Sequence, residues 1–425
     1  MARRDVRNIS QEIMIPQVVL IVMVLGLTLF GCVMVYSASA PSAISESSDP
    51  ASYLFDQIKF VVIGIVAAVV LWKVIRYEWW SAIVWIAWVL GVALLLLTAV
   101  MGITALGAQR WLILGPISLQ PSEFFKISAI LMTAKIFRDL RAGALDGATF
   151  WLQIVLLVVA PIILLYSTQS DLGTTVVIFV GIVAVMWLGD VPLKYIVLFL
   201  AAAVVLGVCA IAFTSYRTSR LVFLDPWNDG ANGYGDGYQI IHSYYAFAEG
   251  GIFGVGLGNS SEKYLYLPES ETDFIFSIIG EELGLIGALA VIIAFLVILW
   301  AGMHIARAAF DDFGAMIVGG LVVMLVFQAF LNIACAIGVF PTTGKPLPFI
   351  SSGGSSMIAS YMMVGIILNI ASESGAPTVY ERRRENLRVI RATSPAQSAT
   401  AGAPAASASR SRRSSRGSST RTSRR

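Results

Sequence analysis

Along most of this chain the apolar positions neither alternate nor recur on one helical face; they continue without interruption for the length of a bilayer crossing. A hydrocarbon core about 30 Å thick needs roughly 20 apolar residues as helix. Only structures that close their own backbone hydrogen bonds survive there, so such runs predict helices. Ten are found, over residues 17–36, 58–72, 79–101, 122–137, 150–166, 172–189, 192–213, 273–303, 313–337 and 352–372. The pattern predicts an all-α, polytopic membrane protein with about ten transmembrane helices. The second run is short, and only a tight hairpin around Gln169, Ser170 and Asp171 separates the fifth from the sixth.

The connections differ in kind. Residues 214–272 form one long loop in which Trp227, Tyr234, Tyr238, Tyr244, Tyr245 and Phe247 are mixed with many glycines. That mixture predicts a partly ordered loop lying on the membrane rather than a solvated spacer. Beyond Ala376 the chain turns to Ser, Ala, Pro, Thr and Arg, which cannot bury enough surface to fold. The expected organisation is a cytoplasmic segment 1–16, a membrane domain 17–372 and a basic disordered tail 373–425 that lies along anionic lipid. No internal repeat of the transporter kind is visible.

Composition agrees: 57% of the 425 residues are hydrophobic and 13% charged, too few charges to build a water-facing surface. The net charge of +3 hides a basic concentration from Arg382 to Arg425. A cytoplasmic N-terminus places Lys73, Arg76, Lys135, Arg138, Arg141, Lys194 and Arg307 in cytoplasmic connections, and an even number of spans returns the tail to the same side. Arg3, Arg4 and Arg7 precede an apolar stretch ending in Ala38-Ser39-Ala40. Val18 to Tyr36 is long enough to span and Pro41 follows, so no signal cleavage is expected. Cys32, Cys209 and Cys335 each sit inside an apolar run, which argues against a disulfide framework. Phosphate-loop, dinucleotide, zinc-protease and nucleophile-elbow motifs are missing from the sequence. In a polytopic protein the basic tail has lipid, not nucleic acid, as its expected partner.

Charges near membrane depth are costly and mark candidate chemistry. They are Lys59, Arg110, Glu123, Lys126, Asp171, Asp273, Glu281, Glu282 and Lys345, and all but the Glu281-Glu282 pair fall near the outer ends of the spans. Asp273 reads two ways: a first-turn acid complementing a helix dipole with Thr272 as cap, or a partly desolvated carboxylate able to act as a base. Gln120-Pro121-Ser122-Glu123 resembles a helix start. Lys126, three residues after Glu123 on the same face, points instead to a polar interior. Arg110-Trp111 is either an interfacial anchor or a phosphate-binding cation with its neighbour. Lys59 reads as a snorkelling span-end residue, and the small residues Ser351 to Ser356 as a close helix-packing surface rather than a substrate contact. His242 and His304 fall on opposite sides of the membrane, too far apart to share a metal.

Taken together, Met34-Val35-Tyr36-Ser37-Ala38-Ser39, Arg110-Trp111, Gln120-Pro121-Ser122-Glu123, Asp171-Leu172-Gly173-Thr174, Leu267-Pro268-Glu269, Thr272-Asp273-Phe274-Ile275-Phe276, Gly280-Glu281-Glu282-Leu283-Gly284 and Pro346-Leu347-Pro348-Phe349-Ile350-Ser351 resemble the SEDS family (shape, elongation, division and sporulation). The resemblance extends to about Ser372. Leu224-Asp225-Pro226-Trp227 and Tyr266-Leu267-Pro268-Glu269 look like the division branch, whereas Gly107-Ala108-Gln109-Arg110-Trp111 is closer to the elongation branch.

The resemblance implies a peptidoglycan glycosyltransferase that polymerises lipid II outside the bacterial cytoplasmic membrane at the division septum. Its implied partners are a class B penicillin-binding transpeptidase and other divisome membrane proteins. Asp273 takes the place of the essential acid, and Arg110, Trp111, Glu123, Lys126 and Lys345 are the substrate-binding candidates. No cofactor is required, and a divalent cation is compatible with the site. A flippase for the lipid-linked precursor and a non-catalytic division scaffold are the competing functions. The chain departs from the family pattern at Ser170, where proline is usual, at Glu249, where a small residue is usual, and at Thr343, where lysine is usual.

Overall fold

A computed structural model describes residues 6–105, 108–114, 117–212, 219–235 and 237–374, which belong to one compact unit, Met1–Ala376. The predicted tail from residue 375 on and the side chain of Cys209 lie outside the described residues, while Glu373 and Ser374 end the last helix. Each of the ten apolar runs is helical: α1 (Val6–Ser45), α2 (Ser52–Lys73), α3 (Trp80–Met101), α4 (Pro121–Arg141), α5 (Gly147–Gln169), α6 (Leu172–Leu188), α7 (Leu193–Ala212), α9 (Ile275–Arg307), α10 (Asp312–Ala336) and α11 (Gly354–Ser374). The short second run proves to be the inner part of a helix that begins at Ser52. Among the described residues seven helices are long and apolar enough to cross a membrane, and α6 and α7 supply shorter apolar stretches. Helix α4 carries Glu123, Lys126, Lys135, Arg138, Asp139 and Arg141 and is tolerated because its neighbours cover it.

The all-α pattern has one exception. A three-stranded antiparallel ribbon, β1 (Ile103–Ala105), β2 (Ala108–Leu114) and β3 (Ile117–Leu119), joins α3 to α4. It pairs Ile103 with Trp111 and Leu112 with Leu119. β1 and β3 have three residues each, and the seven of β2, ending in Trp111-Leu112-Ile113-Leu114, do not alternate, so no period of two is readable.

The centre of the bundle is α10 and α11, where 78% and 83% of the apolar window is buried, against 17% in the peripheral α2. Small residues set the packing distances, as expected where lipid supplies no hydrophobic force between helices. A Cβ on Gly365 of α11 would stand 2.6 Å from the Ala68 carbonyl of α2, and one on Gly64 would strike the Tyr361 ring at 2.8 Å. In α5, Pro161 has no N–H to offer the carbonyl of Leu157, one turn back. The helix widens to π geometry over Ile154–Val159, and the Trp88 indole donates to that carbonyl at 2.7 Å.

The described residues of the long loop are folded. It holds helix α8 (Tyr238–Gly250) and short 3-10 turns at Ser219–Leu224 and Pro226–Asn228. Between them the carboxylate of Asp229 accepts from the backbone N–H groups of Ala231, Gly233, Gly235 and Gly237, at 2.8, 2.9, 2.9 and 3.1 Å. Four donors on one anion hold its carboxyl well below the usual range, at about 2.

The loop then descends onto a break in α9. Gly284 adopts φ 65°, ψ −166°, a conformation open essentially to glycine alone. The carbonyls of Glu281 and Glu282 accept from Val255 and Gly256, while Leu285 and Ile286 donate to Gly251 and Ile252, so the break leaves these groups satisfied. The two glutamates also hold the loop through their side chains. Glu281 accepts from Ser260 Oγ at 2.6 Å and from the Ser261 amide at 2.5 Å; Glu282 meets Ser37 Oγ at 2.6 Å and Lys263 Nζ at 2.9 Å.

A buried charge cluster beside a half-buried carboxylate as candidate active site

Helix α4 starts with Gln120 as N-cap and Pro121 at its first position, which sets Glu123 and Lys126 one turn in, on one face. Helix α6 is capped by Asp171, whose Oδ1 accepts from the Thr174 amide at 3.0 Å and whose Oδ2 accepts from Thr174 Oγ1 at 2.8 Å. The segment between α10 and α11 brings in Lys345. A side chain on Gly173 would collide with the Lys345 stem at 2.7 Å, so glycine there lets the lysine lie along α6.

These elements interlock. Lys126 Nζ donates to Glu123 Oε2 and to Gln328 Oε1, each at 2.6 Å; Lys345 Nζ donates to Asp171 Oδ2 at 2.8 Å and Glu123 Oε1 at 3.3 Å. Ser122 Oγ adds a bond to Asp171 Oδ2 at 3.2 Å. All four charged side chains are at most 2% exposed. Burial alone would strip the proton from Lys345, but the Asp171 and Glu123 carboxylates outweigh it and raise its affinity for the proton. Lys126, Glu123 and Lys345 therefore direct their charges at one another and at Asp171, forming a cross-braced wall.

Asp273 lies beyond that wall. It precedes the first turn of α9, which begins at Ile275 with Phe274 as N-cap. The N-cap position falls on Phe274 rather than Thr272, whose hydroxyl donates to Glu269 Oε2 at 2.6 Å. Asn332 of α10 donates to the carbonyls of Asp273 and Lys345, both at 2.8 Å, and so fixes the two segments against each other.

Where the segments meet, Gly344 is exposed with φ 66°. Among the described residues, a Cβ built on it would meet Asp273 Oδ2, at 3.6 Å, and Arg110 Nη1, at 4.0 Å. Arg110 is held by β2 and by two bonds to backbone carbonyls, Nε to Gln169 at 2.9 Å and Nη2 to Ser170 at 3.0 Å. Asp273 and Arg110 are both half-buried. An anion and a cation thus flank one open patch of backbone. Trp111 follows in β2, half-buried, on the opposite side of the strand by its alternation. Lys59 pairs with exposed Asp56. Ser355 and Ser356 accept from the Gln120 amide and Gln328 Nε2, tying the start of α11 to the cluster. Among the described residues no three His, Cys, Asp or Glu side chains gather as a metal site.

Gln328, Asn332 and Gly344 were not singled out from the sequence. Gln328 and Asn332 did carry a signal: two amides one helical turn apart inside an apolar run present hydrogen-bonding groups on one buried face.

The architecture defines a polytopic membrane protein whose conspicuous polar site lies at one end of the bundle, beside a long folded loop. A protein-family model described as Cell cycle protein, FTSW_RODA_SPOVE, matches residues 17–375, and the chain belongs to that family. It is 38% identical over 374 residues to a probable peptidoglycan glycosyltransferase FtsW of Nitrosococcus halophilus, covering 86% of this chain and 95% of the relative. It is 35% identical to the stage V sporulation protein E of Bacillus subtilis, over 84% of this chain and 98% of the relative. Among solved structures, a chain of a peptidoglycan synthase complex that coordinates polymerization and crosslinking superposes with TM-score 0.67 at 25% identity, covering 84% of this chain and 97% of that one. The Thermus thermophilus rod shape determining protein RodA shares the fold, with TM-score 0.61 at 22% identity over 84% of this chain and 97% of its own.

Proposed function

We propose that this chain is a peptidoglycan glycosyltransferase that polymerises lipid II at the extracytoplasmic face of the bacterial cytoplasmic membrane. In this reading both termini are cytoplasmic, the long loop faces outward, and the enzyme works at the division septum with a class B penicillin-binding transpeptidase and other divisome proteins. Relatives named as FtsW-type glycosyltransferases and a synthase complex of the same fold support the reading. The observation that carries the chemistry is the convergence of Asp273 Oδ2 and Arg110 Nη1 on the open backbone at Gly344.

Chain growth requires a sugar hydroxyl to attack the anomeric carbon of a lipid-linked glycan. A glycosidic C–O bond forms, the bond from that carbon to pyrophosphate breaks, and the hydroxyl proton leaves. Asp273 is the base that takes this proton, a role that requires approach within about 2.6 to 3.2 Å of the hydroxyl. Arg110 already directs Nε and Nη2 at protein carbonyls, so Nη1 is the end offered to the departing pyrophosphate. Glu123, Lys126 and Lys345 act one layer back, setting the floor against which the pyrophosphate rests.

The test is polymerisation of purified lipid II by the chain with its transpeptidase partner. Asp273→Asn should lower the rate by about 10²- to 10⁴-fold. Undiminished polymer from that variant, or lipid II crossing vesicles without polymer, would remove the assignment.

A further inference from the structure

Two buried carboxamides, one bonded to the Asp273 backbone and one whose backbone holds Arg110, are incompletely paired. Asn332 uses Nδ2 on the carbonyls of Asp273 and Lys345, and its Oδ1 meets no donor among the described residues. Gln169 is the stronger case. It ends α5, where it completes the inward stripe Pro161, Leu165, Gln169, and it is 0% exposed. Neither its Oε1 nor its Nε2 has a partner among the described residues, although its own backbone carbonyl holds Arg110. Burying an amide unpaired is unfavourable, and leucine or methionine would fill the position without that cost.

The pairing a carboxamide lacks identifies what would satisfy it. Oε1 needs a donor and Nε2 needs an acceptor. An ionised phosphate offers acceptors only, and a polyprenyl tail offers neither. Sugar substituents on adjacent ring carbons, a hydroxyl beside an acetamido group, offer both.

We infer that Gln169 is a specificity residue of the sugar site, reading a hydroxyl and a neighbouring acetamido group of an N-acetylated sugar held between Arg110 and Asp273. This rests on the glycosyltransferase reading above. Because the amide is fully covered, the groups over it have to move for the sugar to reach it. A site built to hydrogen-bond such groups rejects analogues that lack them far more strongly than an apolar pocket can.

The experiment uses the full chain in detergent with Asp273→Asn to suppress turnover, and follows thermal unfolding against lipid-linked N-acetylated disaccharide and against an analogue with amines in place of the acetamido groups. Adding Gln169→Met should leave the unliganded Tm unchanged or higher. It should weaken binding of the N-acetylated ligand roughly ten- to a hundred-fold and abolish its preference over the amine. In the chain with Asp273 intact, the loss should appear mainly in KM.

Equal binding of both ligands with and without Gln169 would overturn the inference, leaving the amide paired to internal water only. A lowered unliganded Tm with affinity retained would overturn it in favour of a packing role. Should Asp273→Asn still polymerise, the base assignment fails while the binding comparison continues to judge Gln169.

Discussion

The ammonium of Lys345 lies 2.8 Å from Asp171 Oδ2, with both side chains at most 2% exposed, and so locks the segment between α10 and α11 onto the cap of α6. Removing one member of such a pair strands the other as a buried charge. Asp171→Asn or Lys345→Met should each cost about 3–5 kcal/mol of stability, whereas the double variant should recover part of the loss. Thermal unfolding of the four proteins measures this, and simple addition of the two losses would show the pair to be uncoupled.

Arg110 is held as a fork, by Nε and Nη2, and lysine cannot reproduce that geometry. Arg110→Lys should therefore lower kcat/KM for lipid II about ten-fold or more while changing Tm little. Full activity in the lysine variant would mean that a point charge suffices.

Two glycines with positive φ separate backbone strain from backbone contact. A side chain on Gly143, at φ 70°, meets nothing within 4 Å, so Gly143→Ala should cost only about 1 kcal/mol. At Gly284, φ 65°, a Cβ would stand 2.4 Å from the Gly254 amide nitrogen, so Gly284→Ala should cost more than about 3 kcal/mol and loosen the loop from α9. Similar melting of the two variants would contradict the packing described at the break.

The folded long loop depends on Asp229 remaining ionised. Its carboxyl titrates at about 2 in the folded loop and near the ordinary aspartate value of about 3.9 when the loop is disordered. Its contribution is therefore complete above about pH 4 and disappears as pH falls through about 2. Limited proteolysis between Leu224 and Tyr238 should stay slow down to about pH 4 and quicken below it. Asp229→Asn should be cut quickly at every pH, and a pH-independent difference between the two proteins is not expected.

Much of this was legible in the sequence because membrane helices are set by composition over long windows, and all ten apolar runs are helical. Asp273, Arg110, Glu123, Lys126 and Lys345 stood out because charge beside hydrocarbon is rare. What remained hidden depends on contacts between distant segments. Nothing local to Glu281 and Glu282 reveals that Ser260, Ser261 and Lys263 fold down to meet them. The strand carrying Arg110 runs into four consecutive apolar residues, Trp111 to Leu114, so no period of two registers. Ser170 turns the chain into α6 at φ 47°, a left-handed conformation that no local pattern announces and that a proline ring would forbid.

Helix α4 is too highly charged to partition into lipid on its own merits, and its acceptability depends on groups synthesised much later. Asp171 follows within two helices, but Lys345 and Gln328 emerge about two hundred residues after Lys126, a delay of roughly tens of seconds at ordinary translation speeds. During that interval Glu123 and Asp171 have no second ammonium to share. Biogenesis of this bundle is therefore completed from its C-terminal end, and a chain truncated before Lys345 would be an early substrate for membrane quality control.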